Sequence, residues 1–446
     1  MDAVAFVREH AAWLAAPELG ACVVGSQALA VACRAARVDA PSSNDLDLAW
    51  ALSPEEGRSL LEQRGCFIPT TDGNVARGTL AAKLGGARVE VTTFRAGDAA
   101  APMRDRIRAD LSERDMTIGA LAVELASDEV HDPFGGLEDY RQKLVAPVGD
   151  PALRVREHGI RWLRYFRKAH EHGFVVDPSI RRLTRELDPA LLLELPAEAV
   201  ALELRAVVTK TRSPGRCLLD LHEVGVLATI SGVLDKQFDG RPAGPQRWHP
   251  EVGQGLHLIL ALEWAAQATS DFDERDRAAT LFAVLCHDLG KSDTAPRYFP
   301  HHKGHEGAGV PHIEQLQRRW PGLMDQRTAT LCKHVAALHL TVRRFEELRD
   351  GTVAKLYDQY FRANDYPIEP FAAAVAADSA GRLGCEPDGA RVRERVRRDL
   401  EMLRKACGSV DAATLRARHP DDLDAFRSAL HEARASAVAA ARRATS

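Results

Sequence analysis

The sequence predicts an α+β fold: a small mixed β-sheet near the N-terminus, followed by an all-α remainder. Strand patterns, including the alternation of apolar and polar residues over 88–94, occur in the first part of the chain, up to residue 150. Beyond that point the chain is rich in Ala, Leu, Arg and Glu at helical spacing. With 446 residues, it is also too long for a single hydrophobic core.

Each predicted element rests on its local pattern. In chain order, we predict a helix at 1–16, a strand at 21–25, a helix at 27–37, and strands at 46–51, 88–94 and 130–133. Breaks rich in Pro and Gly interrupt the helical part near 213–215 and 239–250. We therefore expect domains at 1–150, 151–245, 246–385 and 386–446.

Composition excludes several classes of protein. The net charge is −4, so overall basicity does not indicate nucleic-acid binding, although a local basic face still could. Eight cysteines without a CxxC pair indicate free thiols in a reducing cytoplasm. The charged N-terminal segment is not typical of a signal peptide. The sequence contains no stretch of about 18 apolar residues, so we expect no membrane span.

Asp45 and Asp47 form the first motif with chemical meaning. In a strand they would share one face, because side chains at i and i+2 point the same way. Two convergent carboxylates suit Mg²⁺ ions that bind a triphosphate. Upstream, Gly25 and Ser26 end a strand and open a helix, where backbone N–H groups can approach phosphate. An isolated Asp-Leu-Asp is more often a loop or a cap, but this turn and the later strand with Glu90 favour a metal site.

His287 and Asp288 form the second motif, directly after the apolar segment 280–286. A charged pair at the end of a buried helix needs a partner, and a metal ion is the usual one. Mixed His and carboxylate ligands suit Ni²⁺, Mn²⁺, Co²⁺ or Zn²⁺ better than Mg²⁺. Such an ion supplies hydroxide for attack on a phosphoester. The alternative is a set of structural histidines, the class in which we place His10 and His339.

Further blocks follow the first motif in order: 110–118 (DLSERDMTI), 132–139 (DPFGGLED), 148–151 (VGDP) and 157–167 (EHGIRWLRYFR). Together they resemble the head of tRNA nucleotidyltransferases, the CCA-adding and poly(A) polymerase group of the polymerase-β superfamily. The resemblance implies transfer of CMP or AMP from CTP or ATP to the 3′ end of tRNA or another RNA, with Mg²⁺ on Asp45 and Asp47. It implies that the nucleotide is bound by Gly25, Ser26, Arg114, Asp115, Glu157, His158, Arg161 and Arg164.

The match to the head departs from the family pattern at four positions. Ser26 replaces the second glycine of the turn, Leu29 an arginine, and Gly119 an asparagine. His158 stands where the family has an Asp that pairs with the incoming base together with Arg161. Because a histidine nitrogen offers only one donor or acceptor, the choice between C and A is open.

The order of histidines and carboxylates in the second half resembles the HD phosphohydrolase superfamily. The matching residues are His257, His287, Asp288 and Asp378. A head followed by such a domain resembles the multifunctional bacterial CCA-adding proteins, which implies 2′,3′-cyclic phosphodiesterase or phosphatase activity. His305 and His334 are candidates for a second metal or for phosphate contacts, and Lys291 for neutralising a substrate phosphate. His305 is the one we include among the metal ligands.

Three functions remain open. The first is a cytoplasmic nucleotidyltransferase with an appended HD phosphohydrolase. The second is an HD phosphohydrolase whose degenerate head only binds RNA, and the third is a non-catalytic RNA chaperone. Basic segments at 154–168, 210–216 and 391–405 are the candidate RNA contacts, but acidic residues within the last one favour a salt-bridged, solvated face. The sequence does not predict the oligomeric state.

Overall fold

The computed structural model describes residues 2–41, 45–69 and 78–445. The chain divides into two compact units, Met1–Asp188 and Pro189–Ser446. The helices that follow residue 150 therefore belong, up to Asp188, to the same compact unit as the sheet. The boundaries expected at 245 and 385 stay predictions.

The first unit is built on a seven-stranded mixed sheet with the order β3-β4-β5-β2-β1-β6-β7. Neighbouring strands are antiparallel except β2 and β5, which are parallel. The strands are β1 Cys22–Val24, β2 Asp47–Trp50, β3 Phe67–Ile68, β4 Thr79–Leu84, β5 Ala87–Thr93, β6 Ala122–Glu124 and β7 Val130–His131. β8 Leu144–Val145 and β9 Val175–Val176 form a separate parallel pair.

Helices of the first unit cover the sheet and extend beyond it. They are Ala3–Ala11, Ser26–Ala35, Pro54–Gln63, Met103–Ser112, Gly136–Arg141, Pro151–Glu157, Ile160–His172 and Pro178–Arg181. One sheet face packs against Met103–Ser112 through a buried cluster of Cys22, Val24, Ala49, Ile107, Leu111, Ala120, Ala122 and Val148. Small residues on the strands let the helix approach closely.

The second unit is helical throughout its described residues. Its helices are Ala197–Lys210, Pro214–Glu223, Val226–Ile230, Gly232–Asp235, Gln254–Ala268, Glu274–Cys286, His305–Arg319, Gln326–Arg343, Asp350–Leu356, Ile368–Ala380, Asp388–Gly408, Ala412–Arg418 and Leu423–Thr445. Ile368–Ala380 is a central helix, because nearly every residue of it is buried. Among the described residues, no helix has the length and apolar character that crossing a membrane requires.

Candidate active sites

The first site forms where β1 ends. Gly25 has a φ of 67° and a ψ of −137°, a conformation available mainly to glycine, and it opens the helix Ser26–Ala35. A Cβ atom at this position would lie 3.8 Å from Nη1 of Arg114 and 3.9 Å from Oδ2 of Asp47. A helix N-terminus, a guanidinium and a carboxylate therefore surround one small space, as a phosphate group with its counter-ion requires.

Asp47 occupies the end of β2 that faces this space. It pairs with Val24 of β1 and with Glu90 of β5, so the side chains of Asp47 and Glu90 lie on the same sheet face. The Asp47 residue is open to solvent, but its carboxyl is partly desolvated, and this raises its pKa. The nearby carboxylates of Glu90 and Asp45 raise the pKa further, whereas the Arg114 guanidinium lowers it. Such a cluster of carboxylates gains from a divalent cation.

Asp45 differs from the sequence expectation. It lies outside the strand, which begins at Asp47, and it is exposed. β2 begins only at Asp47, because its partner strand β1 ends at Val24 and the chain turns away at Gly25. The charge of Asp45 still acts on Asp47, so the two carboxylates remain neighbours without forming a regular i, i+2 strand pair.

Arg114 is fixed by the end of the helix Met103–Ser112. Its Nη2 lies 3.5 Å from the buried carboxylate of Asp110, and its Nη1 donates to the carbonyl of Gly119 at 3.4 Å. Asp110 also accepts a hydrogen bond from the backbone N–H of Arg95 at 3.0 Å. Burial, together with the nearby charge of Arg114, lowers the pKa of Arg95. Sequence reasoning missed Arg95 and Asp110, which hold Arg114 towards Asp47.

The predicted nucleotide-contacting arginines stand on the helix Ile160–His172 and point towards the segment 113–115. Nη1 of Arg164 lies 3.0 Å from the Asp115 carboxylate. Arg161 donates to Glu157 at 2.7 Å and to the carbonyl of Glu113 at 2.9 Å. The buried side of this helix holds Trp162, Leu163 and Phe166, as expected from the helical spacing.

The basic segment 154–168 spans two helices. Pro151–Glu157 ends at His158, whose φ of −155° is extended, and Ile160–His172 begins after Gly159. The break presents His158 between the two helices. Burial, followed by the charges of Arg161 and Arg164, lowers the pKa of His158, so the ring is neutral at pH 7. A neutral imidazole offers one donor and one acceptor to a base.

The block 132–139 supports the site from behind. The Asp132 carboxylate accepts from the N–H groups of Gly136 at 2.7 Å and Leu137 at 3.0 Å, which caps the helix Gly136–Arg141. Oγ1 of Thr117 donates to Asp139 at 2.6 Å. A Cβ at position 136 would lie 2.2 Å from the carbonyl oxygen of Thr117. The block therefore positions the segment after Arg114 by close backbone contact.

The second site lies within the second unit, where five helices converge. We call it the histidine cluster, and its members are His257, His287, Asp288, His305, His339 and Asp378, all buried. The Nε2 atoms of three histidines face the carboxylates: His287 lies 3.0 Å and His305 3.2 Å from Asp288, and His257 lies 3.3 Å from Asp378. Two ligands bonded at about 2.1 Å to one ion are about 3.0–3.4 Å apart, so these spacings fit shared metal coordination.

The tautomers of the four rings support the same conclusion. Each Nδ1 lies near a backbone carbonyl, a group that only accepts, at 3.1 Å for His257, 2.7 Å for His287, 2.7 Å for His305 and 3.1 Å for His339. Each Nδ1 therefore carries the proton, and each Nε2 presents its lone pair to the cluster. Nε2 of His257, His287 and His305 and Oδ1 of Asp288 are buried without a hydrogen-bond partner. These atoms fit a transition metal.

His339, which the sequence placed among ordinary histidines, lies in the cluster. Its Nε2 lies 3.9 Å from Oδ1 of Asp288, and its ring packs against His287 and His305 with centroids 5.4 Å and 5.5 Å apart. Arg343, one turn further along the same helix, lies 2.8 Å from Asp378. The i, i+4 spacing of His339 and Arg343 was the available signal, since it puts both on one helix face.

Two other candidates, His334 and Lys291, have partners that the sequence did not predict. His334 lies away from the cluster: its ring is stacked on Tyr366, 5.7 Å between centroids, and its Nδ1 is 3.2 Å from the tyrosine hydroxyl. Lys291 is buried and donates to Asp288 at 2.6 Å, to the carbonyl of Ala243 at 2.7 Å and to Gln254 at 3.0 Å. Its three N–H donors are thereby used, and one of them orients Asp288. Lys291 also lines the cavity beside the cluster, so its contact with a substrate phosphate stays a prediction.

The charges of the cluster are those of a metal site in which protons take the place of the cation. Burial favours neutral Asp288, but His287 and Lys291 hold the pKa of that carboxyl well below its usual range. Burial opposes charging of His257, yet the adjacent carboxylates of Asp378 and Glu251 raise its pKa to about 9. Burial lowers the pKa of His339 to about 4. A bound cation would replace the proton on His257.

Comparison with known proteins identifies the fold. Residues 36–146 match the family described as Poly A polymerase head domain. The CCA-adding enzyme of Bacillus stearothermophilus, solved with CTP, is similar with a TM-score of 0.64 and 19% identity, over 98% of this chain and 92% of that chain. The CCA-adding enzyme of Thermotoga maritima, solved with tRNA, is similar with a TM-score of 0.59 and 14% identity, over 100% and 99%. The chain thus shares the fold of CCA-adding enzymes, and the match to the head-domain family covers residues 36–146 of its first unit.

Proposed function

We propose that the first unit transfers a nucleotide from CTP or ATP to the 3′ hydroxyl of an RNA, with tRNA as the natural acceptor. The observation that carries this proposal is the space above Gly25, bordered by the Asp47 carboxylate and the Arg114 guanidinium. The fold shared with CCA-adding enzymes supports it.

Each group of residues in the first site has its own role in the proposed reaction. Asp45 and Asp47 would hold Mg²⁺, which supplies charge for the triphosphate and the attacking oxygen. The N–H groups at Gly25 and Ser26 open a helix and bind phosphate oxygens. Arg114 offsets negative charge that develops on the leaving pyrophosphate. His158, Arg161 and Arg164 contact the base.

The test is incorporation of labelled CMP and AMP into tRNA that lacks its 3′ end. Wild-type protein with Mg²⁺ is expected to extend the tRNA, and Asp47→Asn to lose at least about 10³-fold in rate, the scale expected for loss of transition-state charge stabilisation. Absence of extension by the wild type, or equal extension by both proteins, rejects the transferase.

Base choice is tested at His158. Each nucleoside triphosphate is supplied alone to the wild type and to His158→Asp. Because an aspartate accepts two hydrogen bonds and His158 one, the substitution is expected to change the ratio of CMP to AMP incorporation. An unchanged ratio would show that His158 does not contact the base.

The second unit supports a second activity, which we propose is metal-dependent phosphoester hydrolysis in the manner of HD phosphohydrolases, with RNA 2′,3′-cyclic phosphates or terminal phosphates as substrates. The observation that favours it is the convergence of buried, unpartnered Nε2 and carboxylate atoms. His257, His287, Asp288 and Asp378 would hold the ion, which supplies a nucleophilic hydroxide.

The test is hydrolysis of a 2′,3′-cyclic nucleotide by protein stripped with EDTA and reloaded with Ni²⁺, Mn²⁺, Co²⁺ or Zn²⁺. Hydrolysis restored by one of these ions, and lost in His287→Gln, is the expected result. If every reloaded sample is inactive although the ion is bound, the cluster is structural.

A further inference from the structure

An arginine-rich cleft lies beside the histidine cluster. It has a volume of about 640 Å³, and its described lining carries five arginines, the indole of Trp248 and a carboxylate, Asp388. The arginines are Arg343, Arg344, Arg382, Arg391 and Arg395. In a chain with a net charge of −4, this is a local concentration of positive charge that a polyanion would neutralise.

The cleft adjoins the histidine cluster. A smaller cavity of about 260 Å³ is lined by Asp288, His305 and Asp378, and it shares His249 and Arg382 with the cleft. Arg343, a residue of the cleft wall, contacts the Asp378 carboxylate at 2.8 Å. A ligand that fills the cleft therefore reaches the candidate metal ligands.

One helix face extends the basic surface. Arg391, Arg395 and Arg398 follow at i, i+4 and i+7 on Asp388–Gly408 and line a neighbouring cavity of about 290 Å³. At 1.5 Å rise per residue, this row covers about 10 Å, farther than one phosphate group.

Two of the acidic residues that the sequence suggested would neutralise this row, Glu394 and Glu401, pair with a different arginine. Arg397, on the same helix, forms ion pairs with Glu394 at 2.6 Å, Glu401 at 2.9 Å and Glu369 at 3.3 Å. The row residue Arg398 has only longer contacts, 3.5 Å to Asp399 among them. Arg397 thus marks the salt-bridged face of the helix, whereas in the row Arg391 has one ion pair, with Asp388 at 3.0 Å, and Arg398 has none shorter than 3.5 Å to any described residue.

Two buried polar atoms at the cleft have no hydrogen-bond partner in the part of the chain that the structure describes. Ser379, next to Asp378 and 4% exposed, has an Oγ without a hydrogen-bond partner. Nε of Arg382 is likewise buried without an acceptor. A buried donor without an acceptor destabilises the folded protein, because it has lost its hydrogen bonds to water without replacing them. Phosphate oxygens are acceptors for both groups.

Trp248 supplies a flat apolar surface at the cleft. The residue is 56% exposed, and the Arg247 guanidinium lies 5.1 Å from the ring centroid. Exposed aromatic rings beside arginines are the usual stacking platforms for unpaired bases.

From these observations we propose that the cleft binds the last few nucleotides of a single-stranded RNA, with a base on Trp248 and backbone phosphates on Arg391, Arg395 and Arg398. Its terminal phosphate would then enter the histidine cluster. The proposal rests on the proposed phosphohydrolase function and names its substrate as a strand, because the arginine row is too long for a mononucleotide.

Binding of a fluorescent five-nucleotide RNA with a 3′-phosphate to the full-length protein, in EDTA, tests the cleft without turnover. In the double variant Arg391→Gln/Arg395→Gln the affinity is expected to fall at least about tenfold at low salt, and the slope of log K against log[salt] to become shallower by about 1.4, since each lost contact to a single strand removes about 0.7. Trp248→Ala should weaken binding roughly 5- to 100-fold, the effect of losing one base stack. The matched control is Arg397→Gln, on the salt-bridged face, which should bind like the wild type.

Wild-type affinity in the double variant, or an equal loss in Arg397→Gln, overturns the proposal. So does a 3′-terminal 4-thiouridine that crosslinks only within the first unit, or a double variant that weakens binding of 3′-CMP as much as binding of the RNA, since the latter marks a mononucleotide pocket. If the RNA binds in an arginine-dependent way but the reloaded protein hydrolyses nothing, the cleft stands and the phosphohydrolase fails.

Discussion

At the scale of single residues, the Asp288 carboxylate is the group that most requires a cation. One oxygen accepts from Lys291 and Gln254, while the other is buried without a donor although His305 lies 3.2 Å away. A buried charge that is only partly satisfied is strongly destabilising. A single ion inside the ring of Nε2 atoms would complete the coordination and relieve this deficit.

His339 should therefore contribute to metal affinity. His339→Gln is expected to weaken binding of Mn²⁺ or Zn²⁺ by about 10- to 100-fold, the range seen when groups next to metal ligands are lost. Isothermal titration of EDTA-stripped protein measures the change. His334→Gln, on the same helix but stacked on Tyr366, serves as the control and should keep wild-type affinity. Equal affinities in all three proteins would contradict the assignment.

His334 has a separate effect on stability. Burial lowers its pKa to about 4 from the usual 6.5. The unfolded chain therefore binds a proton that the folded chain does not, so this contribution to the free energy of unfolding is present above pH 6.5 and is lost as pH falls towards 4. Its upper limit is about 3 kcal/mol at about 1.4 kcal/mol per pKa unit, reduced by the partial exposure of the ring.

Urea unfolding in EDTA at pH 7.5 and pH 4.5 measures this effect. The wild type should lose more free energy of unfolding between the two pH values than His334→Gln does. The difference between the two proteins isolates His334 from other titrating groups. Parallel losses in both proteins would show that the folded chain does not disfavour charging of this ring.

Residue spacing predicted part of the two sites, and the reasons for the rest are physical. His287, Asp288 and the arginines at 161 and 164 carry local patterns. Arg95 and Asp110 act on Arg114 only because β5 ends next to the helix Met103–Ser112, a contact that no local pattern encodes. Likewise, no local pattern distinguishes His334 from His339. Only the rotation of their helix places His339 in the cluster and His334 outside it.

At the scale of elements, the predicted α+β organisation is confirmed, but short strands escaped prediction. β4 (TLAAKL) has alanines at adjacent positions, which hides the period of two, and β3 and β6 are only two and three residues long. These strands exist because their neighbours provide hydrogen-bonding partners, so tertiary pairing and not local propensity defines them.

The contact between the helix Gly136–Arg141 and the turn at Thr117 should be sensitive to a single methyl group. Gly136→Ala places a Cβ 2.2 Å from the Thr117 carbonyl oxygen, so the helix must move, at an expected cost of about 1–3 kcal/mol in free energy of unfolding. Gly119→Ala is the matched control, since its Cβ would meet Met116 at an ordinary 3.8 Å, and it should change stability by no more than about 0.5 kcal/mol. Denaturant unfolding of both variants decides; equal stabilities would mean that the contact is loose.

At the scale of the whole molecule, each proposed activity has all its named residues within one compact unit. The Asp47 site belongs to Met1–Asp188 and the histidine cluster to Pro189–Ser446. Substitutions at sites that share no residue usually have additive effects. The two chemistries should therefore be separable by single substitutions.

This separation gives the final prediction. Asp47→Asn should abolish nucleotide incorporation and leave cyclic-phosphate hydrolysis within about twofold of wild type, and Asp288→Asn should do the reverse, because neither substitution alters the ligands of the other site. Saturating Mg²⁺ should raise the unfolding free energy of the wild type by about 2.7 kcal/mol at 100 times its dissociation constant, but not that of Asp47→Asn. Since desolvation and neighbouring carboxylates raise the pKa of Asp47, Asp47→Asn without metal should melt no lower than the wild type. Loss of both activities in either variant, with an unchanged circular dichroism spectrum, would show that the two sites act together.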